Sequence, residues 1–252
     1  MLEICIDTLA GIDAAIAGGA DRLELCAALS VGGLTPPQSL VLRAAAAPIP
    51  AHLLSRPRDG DFRYDAAEAA MIADDIRLAA EAGLAGVVIG ASGADRRLDA
   101  ELLASWVAHA RAEGAKTGRP LSLTLHRAFD LCPDLFEALD MAIALGFDRI
   151  LTSGGQPRAA DALDMLAALA RRADGRIGIL AGSGIDPANL PAILATGVPE
   201  VHASCRSPAG PAGEVEQRFG FQTGPGLHTD AAKVSALRSI LGQHGTLNNT
   251  NI

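Results

Sequence analysis

The 252-residue sequence predicts an α/β fold, a (β/α)8 TIM barrel built as one domain over residues 1–245, with 246–252 as a flexible tail. Two patterns point to it. The first is a helix–glycine–strand junction that recurs at Gly18-Gly19, Gly83, Gly146 and Gly197, leading into Arg22-Leu23-Glu24-Leu25, Gly86-Val87-Val88-Ile89, Asp148-Arg149-Ile150-Leu151 and Glu200-Val201-His202. Each glycine falls where a helix ends in a left-handed cap, and repeated junctions of this kind imply βα units and a parallel sheet. The second is alternation inside the strand segments, as in Leu2-Glu3-Ile4-Cys5-Ile6 and Leu123-Thr124-Leu125-His126. Successive strand side chains face opposite ways, so each segment has an apolar face and a polar one. With the apolar faces under helices, the polar groups converge on a shared interior. The same units could form a doubly wound open sheet, but eight of them in about 250 residues fit the barrel.

Taken in order, strands are expected near 2–6, 22–26, 50–55, 86–90, 121–126, 149–152, 177–181 and 200–204. Helices are expected near 8–17, 37–46, 65–82, 99–116, 134–145, 158–173, 187–195 and 230–241. Asp7-Thr8 opens the first helix, Thr35-Pro36-Pro37 the second and Asp186-Pro187 the seventh. The third carries Ala69, Ile72, Ala73, Ile76 and Ala80 as an apolar stripe at helical spacing, with Asp74, Asp75 and Glu81 as its solvated face. The stretch 205–229, rich in glycine and proline, is the longest irregular segment and follows the eighth strand, at the mouth of a barrel.

Composition narrows the function. A hydrophobic content of 49% suits a well-buried core, and 3% aromatic content argues against the stacking platforms of single-strand binders. A net charge of -8 repels nucleic acid and anionic membranes. No window reaches the roughly 18 apolar residues of a membrane span, and the first residues already read as a strand, so a cytoplasmic protein is expected. A homo-oligomer is left open. Cys5, Cys26, Cys132 and Cys205 lack CxxC spacing and are too few for a disulfide scaffold; buried reduced thiols are the plain reading.

Barrel sites form at strand C-terminal ends and the loops beyond them. Glu3, Arg22 and Glu24 could be an internal ion-pair network or part of such a site, with Glu3 and Glu24 as proton carriers. His126 could be a packed histidine or a general acid/base. Arg22, Arg56, Arg58 and Arg127 would form a positive funnel for an anionic ligand. The glycine loops at Ser153-Gly154 and Gly182-Ser183 could seat a phosphate or carboxylate on main-chain N–H groups. Cys5 and Cys26, on neighbouring strands, could offer two soft sulfurs to Cu(I). No organic cofactor is called for.

These stretches resemble the CutC copper-homeostasis family. The resemblance runs through Leu2-Glu3-Ile4-Cys5, Gly18 to Cys26, Gly32 to Pro36, Arg56-Pro57-Arg58-Asp59-Gly60-Asp61-Phe62, His126-Arg127-Ala128-Phe129-Asp130, Leu151 to Gly154, Gly182 to Ile185 and Glu200 to Ser204. It covers the chain to about residue 208 and implies a TIM barrel, a cytosolic location and a role in copper tolerance, with Cu(I) on Cys5 and Cys26. The polar strand-end residues also suit a pocket for a small anionic metabolite worked on by acid/base chemistry. Copper ion and anionic metabolite are therefore the two partners expected.

Overall fold

A computed structural model describes residues 1–222 and 224–249. Eight parallel strands close into a barrel in chain order: β1 (Leu2–Ile6), β2 (Arg22–Leu25), β3 (Ala51–Leu54), β4 (Gly86–Ile89), β5 (Ser122–Leu125), β6 (Arg149–Thr152), β7 (Gly178–Ala181) and β8 (Glu200–Ala203), the last pairing with the first. Between them run α1 (Leu9–Ala17), α2 (Gln38–Ala44), α3 (Ala66–Ala82), α4 (Ala100–Thr117), α5 (Leu135–Leu145), α6 (Leu163–Ala173) and α7 (Leu190–Leu194). The open-sheet alternative is thereby excluded.

Local chemistry accounts for the punctuation. Thr8 caps α1 by accepting the Gly11 N–H, and Asp65 with Glu68 makes a reciprocal capping box on α3. Gly19, Gly83, Gly146 and Gly197 sit at φ of 87°, 82°, 84° and 85°, the left-handed geometry expected of them. Two helices start later than the sequence suggests. Asp186 spends its Oδ1 on the Ala188 and Asn189 N–H groups, a turn that delays α7 to Leu190. A 3-10 turn at Ala159–Asp161 likewise precedes α6.

The segment after β8 is more ordered than its composition suggests. β9 (Arg206–Pro208) pairs antiparallel with β10 (Leu227–Thr229), with a short α8 (Glu214–Arg218) between them. The chain then enters α9 (Ala231–Asn249), the eighth outer helix, which runs past the boundary at 245. Residues 250–252 of the expected tail lie outside the described residues. No helix among the described residues is long and apolar enough to cross a membrane.

The main apolar core lies between barrel and helices: Leu2, Ile4 and Ile6 of β1, Leu23 and Leu25 of β2, and their counterparts around the ring are fully buried there. Inside the barrel, Cys5, Cys26, Leu54 and Val88 form a separate apolar cluster. The other inward positions include Glu3, Arg22, Glu24, His52, Thr124 and His202, all buried. A barrel interior is ordinarily filled by branched aliphatic layers. Here it is filled by charge.

The packing of α9 on α1 depends on one small residue. A Cβ at Gly18 would lie 2.4 Å from Val234 Cβ and 2.7 Å from the Ala231 carbonyl oxygen. Gly18→Ala should therefore cost about 3 kcal/mol by overpacking. Gly118→Ala, where φ is 68° and no atom lies within 4 Å, should cost only about 1 kcal/mol. Urea unfolding midpoints of the two variants check the difference.

Candidate functional site

The register of the strands sets the interior. Glu3 lies level with Arg22 on one side and His202 on the other; Cys5 lies level with Glu24, and Glu24 with His52. Glu3 is wholly buried and its carboxylate is held twice, by the Arg22 guanidinium and by His202 Nδ1 at 2.7 Å. Burial alone would raise its pKa. The His202 hydrogen bond and the Arg22 charge outweigh that and hold it well below the usual carboxylate range. Arg22 also reaches Glu200 at 2.5 Å, and Arg149 lies 3.4 Å from the same carboxylate. The ion-pair reading of Glu3 and Arg22 therefore stands. Arg22 belongs to the barrel's closed floor and does not line the cavity at its mouth, so its place in the expected anion funnel is corrected.

Above this floor, donor atoms of Cys5, Glu24 and His202 all lie within 4.8 Å of one another, and all three residues are buried. His202 turns Nδ1 to Glu3 and Nε2 towards Glu24, 3.7 Å away. A carboxylate fixing the far nitrogen of a histidine is the arrangement that presents the near nitrogen to a metal. The Cys26 thiol donates to Glu24 Oε2 at 3.3 Å. Burial raises the Glu24 carboxyl, while burial and the Glu24 charge push the Cys26 thiol well above its ordinary value. Burial works to lower His202, but Cys5 and Glu24 overturn it and hold the imidazole well above its ordinary value. The expected pairing of Cys5 with Cys26 thus becomes a four-residue cluster in which Cys26 is joined through Glu24. Sequence reasoning assigned His202 no role; its position two residues after Glu200 on one strand was the available signal.

Cys5, Glu24 and His202 line a cavity of about 710 Å³ at the barrel mouth. Arg56, Phe62 and His126 form another part of its wall. Arg56 is 6% exposed and lies 5.0 Å from the Phe62 ring centroid, with His126 at 4.7 Å on the same ring. Burial first, then the Arg56 charge, push His126 down to about 3, so the ring is neutral and only weakly basic at ordinary pH.

The other expected anion ligands are differently employed. Arg58 pairs with Asp61 and Glu68 away from the cavity, fastening the loop before α3. Arg127 lines the cavity but is held by Asp130 at 2.7 Å and the Ser153 hydroxyl at 2.7 Å. Asp130 also accepts the N–H groups of Ser153 at 3.0 Å and Gly155 at 3.1 Å, and Gly154 donates to Thr152 Oγ1. The 153–155 loop, expected to seat an external anion, is occupied by the chain's own Asp130 carboxylate. Gly182 donates to the Thr152 carbonyl, continuing the strand ladder, whereas Ser183 and Gly184 reach the cavity.

A sequence profile of the CutC family matches residues 1–207. A CutC family protein of Sinorhizobium medicae is 48% identical over 243 residues, 96% of each chain. One from Caulobacter vibrioides is 51% identical over 209 residues, 82% of each. Among solved structures, a CutC from Streptococcus agalactiae, provisionally described as a copper homeostasis protein, superposes with a TM-score of 0.74 at 29% identity, covering 81% of this chain and 98% of that one. A thiamine phosphate pyrophosphorylase from Pyrococcus furiosus shares the fold alone, at 13% identity and a TM-score of 0.56 over 96% of each chain.

Two outcomes follow from the interior charges. Arg22→Ala leaves Glu3 and Glu200 without their shared cation and should cost about 3–5 kcal/mol, against less than about 1 kcal/mol for the half-exposed Arg58→Ala, both read by chemical unfolding. His52 and His126 are each held down to about 3 in the folded chain, against an ordinary value of 6.5. The unfolded chain therefore binds more protons between those values. Their contribution is fully present above 6.5 and is lost as pH falls towards 3, by up to about 1.4 kcal/mol per histidine per pH unit. His202, raised instead, contributes a constant amount in that window. Urea midpoints should fall with pH below 6.5, and His52→Asn should remove about half of the slope down to about pH 5.

Proposed function

The chain belongs to the CutC family, and we propose that it serves copper homeostasis by holding Cu(I) inside the barrel through Cys5, Cys26 and His202. The observation that carries this reading is the buried grouping of Cys5, His202 and Glu24 on the cavity wall, with the Cys26 thiol hydrogen-bonded to Glu24. Two sulfurs and an imidazole nitrogen suit a soft monovalent ion; a carboxylate suits it poorly. Glu24 is better cast as the proton acceptor. Cys26 can pass its proton to Oε2 as the metal takes the sulfur, while the Cys5 thiol and the His202 imidazolium release theirs to solvent through the cavity. Glu3, clamped by Arg22, keeps His202 Nε2 turned towards the cluster. Free rather than bridged cysteines support a reducing, cytoplasmic setting.

The test is an anaerobic Cu(I) titration in competition with a colorimetric chelator. One equivalent is expected to bind, and Cys5→Ser, Cys26→Ser and His202→Ala should each weaken it by about tenfold or more. Unchanged binding in the Cys5→Ser/Cys26→Ser double variant would sink the reading. Preferential Zn²⁺ binding that needs Glu24 and ignores Cys26 would replace it with a borderline-metal site of Cys5, Glu24 and His202.

A further inference from the structure

The cavity is far larger than a metal ion requires. At about 710 Å³ it falls within the range of small-molecule sites, about 300–1,000 Å³. Its wall away from the thiols carries an unusual imbalance. Arg56 is buried, yet no carboxylate among the described residues pairs with it. Its guanidinium donates three hydrogen bonds, all to main-chain carbonyls: Val31 at 2.7 Å, Gly33 at 2.9 Å and Gly60 at 3.1 Å. Those bonds aim the group but bring no carboxylate into contact with it, and Nε has no partner. A buried cation is ordinarily paired, because desolvating it alone is costly.

His126 repeats the pattern. Its Nδ1 accepts the Ala128 N–H at 3.1 Å, which fixes the proton of the neutral ring on Nε2. Nε2 also has no partner. Ser183, Gly184 and Ile185 line the same cavity, and no acceptor among the described residues meets their main-chain N–H groups. Ser183 takes a left-handed φ of 81° and Gly184 one of 69°. A serine held there is a strained residue of the kind that collects at ligand sites. Every group named here without a partner in the chain is a donor, and the surplus charge is positive. The loop at 153–155 shows the same chain satisfying such a set when it means to, with Asp130.

We propose that this wall is a subsite for the oxyanion of a small organic acid, a carboxylate or a phosphate monoester. Arg56 and the main-chain N–H groups of 183–185 bind its charge, His126 Nε2–H donates to it, and its carbon skeleton lies against Leu54, Phe62 and Leu151. In this subsite His126 acts as a neutral hydrogen-bond donor. The subsite uses none of the copper-binding side chains, so the two readings fail separately.

Calorimetric titration of the metal-free, full-length chain with oxalate and, separately, with inorganic phosphate tests it. Saturable binding of either is expected. Preference for oxalate assigns the subsite to carboxylates, and preference for phosphate to phosphate esters. Arg56→Ala should weaken binding about tenfold or more and His126→Phe several-fold, the worth of a charged and a neutral hydrogen bond. Arg58→Ala, outside the cavity, should leave it unchanged. Because Arg56 also ties three loop carbonyls, its variant can fail to fold. The wild-type Arg56 Nε–H resonance then carries the test: it should shift on adding the preferred anion. No saturation by either anion, or binding that ignores His126→Phe with no shift at Arg56 Nε, would overturn the proposal.

Discussion

Glu3 has no contact with water, and the arrangement of the barrel interior follows from how its charge is met. One oxygen goes to Arg22 and the other to His202. Arg22 then recruits Glu200, which lies near Arg149, so that a single buried carboxylate commits residues of β1, β2, β6 and β8 to one network. Such a network contributes less to net stability than an aliphatic core of the same volume would. What it supplies is orientation. His202 cannot rotate without stranding Glu3, so its Nε2 stays turned towards the residues around Cys5.

The same logic separates spent polar groups from available ones. Asp130 satisfies the 153–155 loop and Arg127 together, and Glu68 and Asp61 satisfy Arg58. Arg56, His126 and the 183–185 loop have no such internal counterpart. Two adjoining stretches of wall thus differ in character, one carrying Cys5, Glu24 and His202 and the other Arg56, His126 and the 183–185 loop. Phe62 stands between Arg56 and His126 and keeps their spacing by contact with both.

Much of this was legible in the sequence because it depends on period and parity. Glycine caps gave the βα rhythm, and alternate polarity placed Glu3, Glu24, Cys5 and Cys26 inside without any structure. The errors arose where partners are distant in the chain. Nothing local to Ser153 announces that Asp130 fills its loop, and nothing near Arg22 announces Glu200, 178 residues away. Arg56 and Arg58 share a parity and look equivalent in Arg56-Pro57-Arg58, but their partners differ: Gly33 draws one into the mouth and Glu68 draws the other outward. Residues 205–229 read as irregular because a three-residue hairpin pairing leaves no periodic signature.

The barrel closes by joining its two ends: β1 pairs with β8, the Val201 N–H reaches the Met1 carbonyl, and His202 meets Glu3 across 199 residues. During synthesis Cys5 and Cys26 emerge first and their enclosure comes last. At ribosomal rates of about 5–20 residues per second, roughly 10–40 s separate the two events. Through that interval the thiols have no shielding strand beyond β2 and its successors, and His202 does not yet exist. Any ion or oxidant reaching the nascent chain meets two open cysteines rather than a finished cluster. The order of translation thus leaves both thiols open to their surroundings until β8 closes the barrel against β1.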